Sequence, residues 1–167
     1  STIGVQNIAH TNGTNAMTVD GSGNATFAKN ISQTDLQFWS GYHDQQEAPG
    51  AGGTLIYWSA SANNGITESS GVWTIPVSGI YLFSISVIAN TAAGGIRWQH
   101  NSTPKWRIGY TDELSNWNVI GGTLLHQFSA NDTLRFTAQA ATNFYGASAT
   151  GGGGADTVSS MCICKIG

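Results

Sequence analysis

Charge is scarce in this sequence. Asp, Glu, Lys and Arg make up 9% of its 167 residues, against about a quarter in an ordinary soluble domain. The formal net charge is −3, and the six Lys and Arg are dispersed. They form no stripe that would neutralise phosphates, which excludes nucleic acid as the main partner and removes the attraction of an anionic membrane. No apolar run approaches the ~20 residues of a spanning helix, and the opening STIGVQNIAH lacks the basic and apolar regions of a signal peptide. Cysteine is limited to Cys162 and Cys164. One residue apart in a strand, they share a face but are badly placed to bond each other, so reduced thiols in a buried strand are expected. No second pair completes a three- or four-ligand soft-metal site, and no cofactor is expected.

Scarce charge does not leave the chain unstructured. Six Trp, five Tyr and six Phe provide apolar surface that a disordered chain lacks, and the length suits one ordinary domain with a short appendage. The division is expected near residue 34. Residues 1–34 hold short apolar pieces (Ile3, Val5, Ile8; Met17, Val19; Phe27, Ile31) between turn-rich runs such as HTNGTN and DGSGN. Asp20-Gly21-Ser22-Gly23, between MTV and ATF, signals a hairpin because glycine accepts positive φ at little cost. A piece this small encloses no core of its own and needs a partner surface.

From residue 35 to 167, β-type runs recur with turn punctuation and no helical period, predicting an all-β domain. The expected strands are Leu36–Tyr42, Thr54–Ser59, Gly71–Ile75, Gly79–Ile88, Ile96–His100, Trp106–Tyr110, Asn116–Leu125 with His126–Phe128, Thr133–Ala140 and Val158–Ile166. So many short strands imply a sandwich or barrel. In IYLFSISVI, Tyr81, Phe83, Ile85 and Val87 share one face, with Ile80, Leu82, Ser84, Ser86 and Ile88 on the other. Both faces are largely apolar, so the strand lies mid-sandwich, or has one face in the core and the other against a subunit. The tracts APGAGG (48–53) and GGGG (151–154) mark loops, read as simple connections or as ligand-gripping segments.

In GVWTIPVSGIYLFSISV, Trp73 precedes Gly79, Tyr81 and Phe83 in an aromatic, five-residue, Gly-x-Tyr-x-Phe pattern. This resembles the central signature of complement-q globular heads, which share a jelly roll with tumour necrosis factor. LQFWSGY and TLIYWSA resemble that family's first strands, and IGGTLLHQFSANDTLRFTAQA resembles its late pair joined at Ala130-Asn131-Asp132. SSMCICKIG falls where the last core strand belongs, without the usual Phe-rich ending. The resemblance implies a homotrimer, with Trp73, Tyr81, Phe83, Ile85 and Val87 in the core or trimer sheet. No collagen-like Gly-x-y stalk accompanies it, which argues against a secreted complement-type protein. The segment STIGVQNIAHTNGTNAMTVDGSGNATF is similar to the openings of small structural proteins of tailed bacteriophages, cyanophage-like ones especially, although Gly4 stands where a basic residue is usual. That resemblance implies a virion, an initiator Met removed before Ser1, and particle attachment through Ile3, Val5, Ile8, Met17 and Val19.

The polar residues offer little for catalysis. His43, Asp44 and Glu47 in YHDQQE form either a proton-transfer or metal cluster or, more simply, a solvated turn. His100 and His126 read as packing or surface residues, and Asp112-Glu113 supplies only two of the carboxylates a calcium site wants. Trp98, Trp106 and Trp117, interleaved with Arg97, Arg107 and Asn116, suit sugar recognition, because rings stack on apolar sugar faces while donors bond hydroxyls. Trp98, Trp106, Arg107 and Trp117 are therefore candidate glycan contacts, the alternative being that the Trp rings fill the core or the trimer seam. The expected protein is a non-enzymatic virion surface protein made in the host bacterial cytoplasm. Its partners are its own copies and the major capsid or tail proteins. It either decorates and cements a capsid or forms a fibre tip that recognises host surface glycans.

Overall fold

Glycine-rich turns and alternating apolar residues fold the chain into antiparallel sheets. The computed structural model describes residues 7–9, 15–27, 36–90, 94–111, 118–146 and 159–167, and their regular structure is all strand. The chain divides into two units, Ser1–Asp35 and Leu36–Gly167.

The first unit is a three-stranded sheet in the order β1 (Asn7–Ala9), β2 (Asn15–Val19), β3 (Ala25–Phe27). Met17 pairs with Phe27 and Val19 with Ala25, so the hairpin turns at the DGSG tract. Asp20 builds that turn. Its Oδ1 accepts the backbone N–H of Ser22 and of Asn24, each at 2.9 Å, while Gly23 supplies a φ of 85°. The hydrogen bonds from the Asn24 side chain and backbone lower the Asp20 pKa below its ordinary value.

The second unit packs two sheets. One has the order β10 (Thr103–Thr111), β9 (Gly94–His100), β12 (Thr133–Ala138), β7 (Val72–Thr74), β6 (Thr67–Ser69). The other has the order β11 (Asn118–Phe128), β8 (Gly79–Asn90), β14 (Ser160–Lys165), β4 (Phe38–His43), β5 (Trp58–Asn64), with β13 (Asn143–Tyr145) pairing the far end of β8. Neighbours distant in sequence, such as β8 beside β14, give a jelly roll. Pro104 sits in β10, the edge strand, where its missing N–H costs no ladder bond. Beside it the sandwich edge closes through glycine: a Cβ on Gly109 would lie 2.6 Å from Gly121 N, and one on Gly122 would lie 2.4 Å from Ile108 O. Only hydrogen at these positions lets β10 and β11 approach so closely.

Trp39, Trp73, Trp98, Tyr81, Phe83, Phe128, Phe136 and Phe144 are wholly buried between the sheets. Their rings meet edge to face or tilted: Trp39 to Trp73 at 5.3 Å, Trp73 to Phe136 at 5.8 Å, Phe83 to Trp98 at 5.2 Å. Such geometry sets each ring's positive edge on its neighbour's negative face. Tyr81, Phe83, Ile85 and Val87 all point inward, while Leu82, Ser84, Ser86 and Ile88 are half-exposed and Ile80 is exposed. The strand therefore has one face in the core and the other open.

Two expectations need correction, and two short strands come in addition to those expected. The strand expected over Thr54–Ser59 runs instead over Trp58–Asn64, because residues 54–57 form one limb of a loop laid along β12, with Leu55 N–H donating to Phe136 O at 3.1 Å. β6 and β13, three residues each, have no distinct sequence signal. Cys162 and Cys164 lie in a central strand yet are half-exposed free thiols, because Met161 and Ile163 occupy the inward parity of β14.

Candidate functional site

The open face of the β11-β8-β14-β4-β5 sheet is continuous and, among the described residues, carries no charged side chain. Register places Leu125, Leu82, Cys164 and Phe38 in one row across four strands, and Thr123, Ser84, Cys162 and Ser40 in the next. Thr123 Oγ1 donates to Ser84 Oγ at 2.8 Å within that second row. Leu125 is 59% exposed, and Val119, Ile80 and Ile166 are exposed with it. A concavity of about 280 Å³ on this face is lined by Ser40, Ser61, Ser84, Ser86, Ser160 and Cys162 among others. Large aliphatics beside small hydroxyls, without charge, suit close protein contact better than water.

A second feature lies where β9, β10 and β11 meet. Trp106 on the edge strand is 63% exposed. Its ring stands against buried Trp98 at 5.8 Å, and Trp98 in turn meets the His126 ring at 4.8 Å. His126 Nε2 is 3.2 Å from His100 Nδ1, and His100 Nε2 is 2.8 Å from Asp132 Oδ2. Burial, then the neighbouring His100 and Lys105, lowers the His126 pKa. Burial works to raise the Asp132 pKa, but hydrogen bonds from Asn101, Ser129 and His100 carry it below the usual carboxylate value. Beside Trp106, the Arg107 guanidinium carbon lies 4.7 Å from the Tyr110 ring centroid, a cation–π contact that steadies an exposed side chain.

The third feature is a buried pair. His43 is fully enclosed and Glu47 nearly so, with His43 Nε2 and Glu47 Oε1 2.5 Å apart. The same carboxylate accepts the Ile56 N–H at 3.0 Å through Oε1 and at 3.2 Å through Oε2. It thereby ties together the two limbs of the loop between β4 and β5. Ser59 Oγ donates to Asp44 Oδ2 at 2.7 Å alongside. The solvated-turn reading is thus corrected. A signal was present, since His43 shares strand parity with buried Trp39 and Gly41.

Trp73, Tyr81, Phe83, Ile85 and Val87 sit in the core rather than on the open face, and the Tyr81 hydroxyl donates to Val77 O at 2.7 Å. Trp98 cannot contact a glycan: it is 0% exposed, because it shares inward parity with Ile96 on β9. Trp106 and Arg107 are exposed. Trp117, Asp112, Glu113, Ile3 and Val5 lie outside the described residues. Ile8 belongs to β1, and Met17 and Val19 are half-exposed on one face of β2, with exposed Thr18 between them. The meeting of His100, His126 and Asp132 was not anticipated, because it joins residues from two sheets. Among the described residues, no three of His, Cys, Asp and Glu gather in a way that could hold a metal ion.

No protein-family model matches the chain, and no curated protein matches it. Solved structures do. Murine APRIL aligns with a TM-score of 0.60 and 11% identity, over 79% of this chain and 100% of that one. The globular domain of zebrafish complement 1qA aligns at 0.56 and 10% identity, over 78% and 95% of the two chains. Eiger TNF from S. frugiperda aligns at 0.51 and 13% identity, over 78% and 94%. The likeness is one of fold, a jelly roll of the complement-q and tumour-necrosis-factor kind.

Proposed function

We propose that this chain is a non-enzymatic virion surface protein: a homotrimeric capsid decoration or cement protein whose residues 1–34 dock on the particle while the jelly roll projects from it. The observation that carries the assembly is the uncharged open sheet face, with Leu125, Leu82, Cys164 and Phe38 in register. A face of this kind is stable in water chiefly when neighbouring copies cover it. The phage assignment is supported by the resemblance of the opening segment to phage structural proteins, and Met17 and Val19 on one face of β2 suit a small sheet that needs a partner surface.

Two measurements test this reading. Sedimentation equilibrium should return three times the chain mass, and a monomer at micromolar concentration would end the trimer proposal. Virions lacking the protein should lose heat resistance while adsorbing normally to cells, and the reverse pattern would move the protein from capsid to tail.

A second reading, a fibre tip that binds host surface glycans, is favoured by the exposed Trp106 ring beside Arg107 and Tyr110. Glycan-array binding that disappears in Trp106→Ala would select it.

A further inference from the structure

The loop from Asp44 to Tyr57 closes on itself, with Asp44 N–H donating to Tyr57 O at 2.9 Å, and it is anchored by reciprocal backbone hydrogen bonds between Glu47 and Phe144 at 2.9 and 2.8 Å. Between its limbs lies an open cavity, a surface concavity of about 500 Å³ whose wall includes Gln46, Glu47, Pro49, Thr54, Ile56 and Tyr57. Glu47 is only 9% exposed. Its Oε1 takes His43 Nε2 and the Ile56 amide, whereas among the described residues Oε2 has only the longer, shared contact to that amide. A carboxylate presents about four acceptor positions, so Oε2 keeps capacity for a strong donor.

His43 engages Glu47 through Oε1, which leaves Oε2 as the carboxylate oxygen turned to other donors. Among the described residues, no Lys or Arg lines the cavity. Pro49, Ile56 and the Tyr57 ring form an apolar wall of no use to a hydrated metal ion but well suited to a methylene stem ending in a cation.

We propose that this cavity binds a primary alkylammonium group, that of a free diamine or of a lysine side chain, with its ammonium on Glu47 Oε2 and its stem along Pro49, Ile56 and Tyr57.

The test is a titration of the full chain with cadaverine and with Nα-acetyl-lysine methylamide, followed by amide ¹H–¹⁵N shifts, with the Nε-acetylated lysine derivative as neutral control. Both ammonium ligands should give saturable shifts at Glu47 and Ile56, and the neutral control none. Affinity should fall about tenfold in Glu47→Gln, as loss of a charge-assisted hydrogen bond requires, and about threefold in Tyr57→Ala. Tyr57→Ala leaves every Glu47 hydrogen bond in place, so it reports even where Glu47→Gln fails to fold. Equal shifts from the neutral control, unchanged affinity in Tyr57→Ala, or no saturable response by ~100 mM would each overturn the proposal.

Discussion

His126 Nε2 lies 3.2 Å from His100 Nδ1, joining a ring on β11 of one sheet to a ring on β9 of the other. The contact requires one nitrogen to donate and one to accept, so it survives only while the two rings are not both protonated. Lys105 faces the same pair from β10, and Asp132 pairs with His100 from the turn before β12.

Acid should therefore loosen this clasp. Burial and the neighbouring His100 and Lys105 lower the folded-state pKa of His126 below its ordinary value of 6.5, whereas the unfolded chain titrates at that ordinary value. Between the two, the unfolded state binds more protons, so stability falls as pH drops through about 6.5 and levels off below the folded pKa. Thermal unfolding between pH 7.5 and 5 should show this slope, and His126→Gln should flatten it. Asp132, whose pKa is depressed, acts in a separate, more acid window, its stabilisation being lost as pH falls through the ordinary carboxylate value toward the folded one. An unchanged slope in His126→Gln would show that the clasp does not sense protons.

Phe83 is wholly buried and touches Trp98, Phe136 and Phe128 with centroids at 5.2, 6.0 and 6.3 Å. Truncating it removes one ring from a set that cannot collapse without breaking the edge-to-face contacts. Phe83→Ala should cost roughly 3–5 kcal/mol in denaturant unfolding, a value that includes the cavity left behind. A loss below about 1 kcal/mol would mean that the neighbouring rings repack freely.

Legibility followed parity. Tyr81, Phe83, Ile85 and Val87 announce the core because alternation in a long strand leaves one arrangement of faces, and Asp20-Gly21-Ser22-Gly23 and Ala130-Asn131-Asp132 announce turns through their chemistry. TLIY misled because its β propensity is real but its residues serve a loop limb held by Glu47, a tertiary contact that no local pattern encodes. Trp98 and His43 were readable in principle, each sharing parity with buried neighbours, Ile96 and Trp39. The joining of His100 to His126 was not, since it depends on which strands face each other across the sandwich.

Gly121 sits where β11 passes β8, and a Cβ there would fall 2.0 Å from Ile85 O. Backbone on the receiving side cannot swing away as a side chain would. Gly121→Ala should spread the β8-β11 ladder and cost roughly 1–3 kcal/mol, as overpacking does. Accelerated amide exchange at Ser84 and Ser86, with the Asp20 hairpin unaffected, would locate the damage. A variant as stable as wild type would show that the ladder shifts at little cost.

Leu125 separates assembly from folding. Its side chain is 59% exposed in the single chain, yet it stands in register with Leu82, Cys164 and Phe38 on a face without charge. Placing lysine there should cost the isolated fold little, since surface changes away from special features fall within about 0.5 kcal/mol. Across a contact between copies, the same ammonium would be buried without a partner, which no close-packed interface tolerates. Leu125→Lys should therefore sediment as a folded monomer against the proposed trimer of the parent, its near-ultraviolet dichroism from the Trp39, Trp73 and Trp98 core retained. Should Leu125→Lys remain a trimer, the open face is not the contact, and the edge strand β10 with Trp106 and Tyr110 becomes the surface to mutate next.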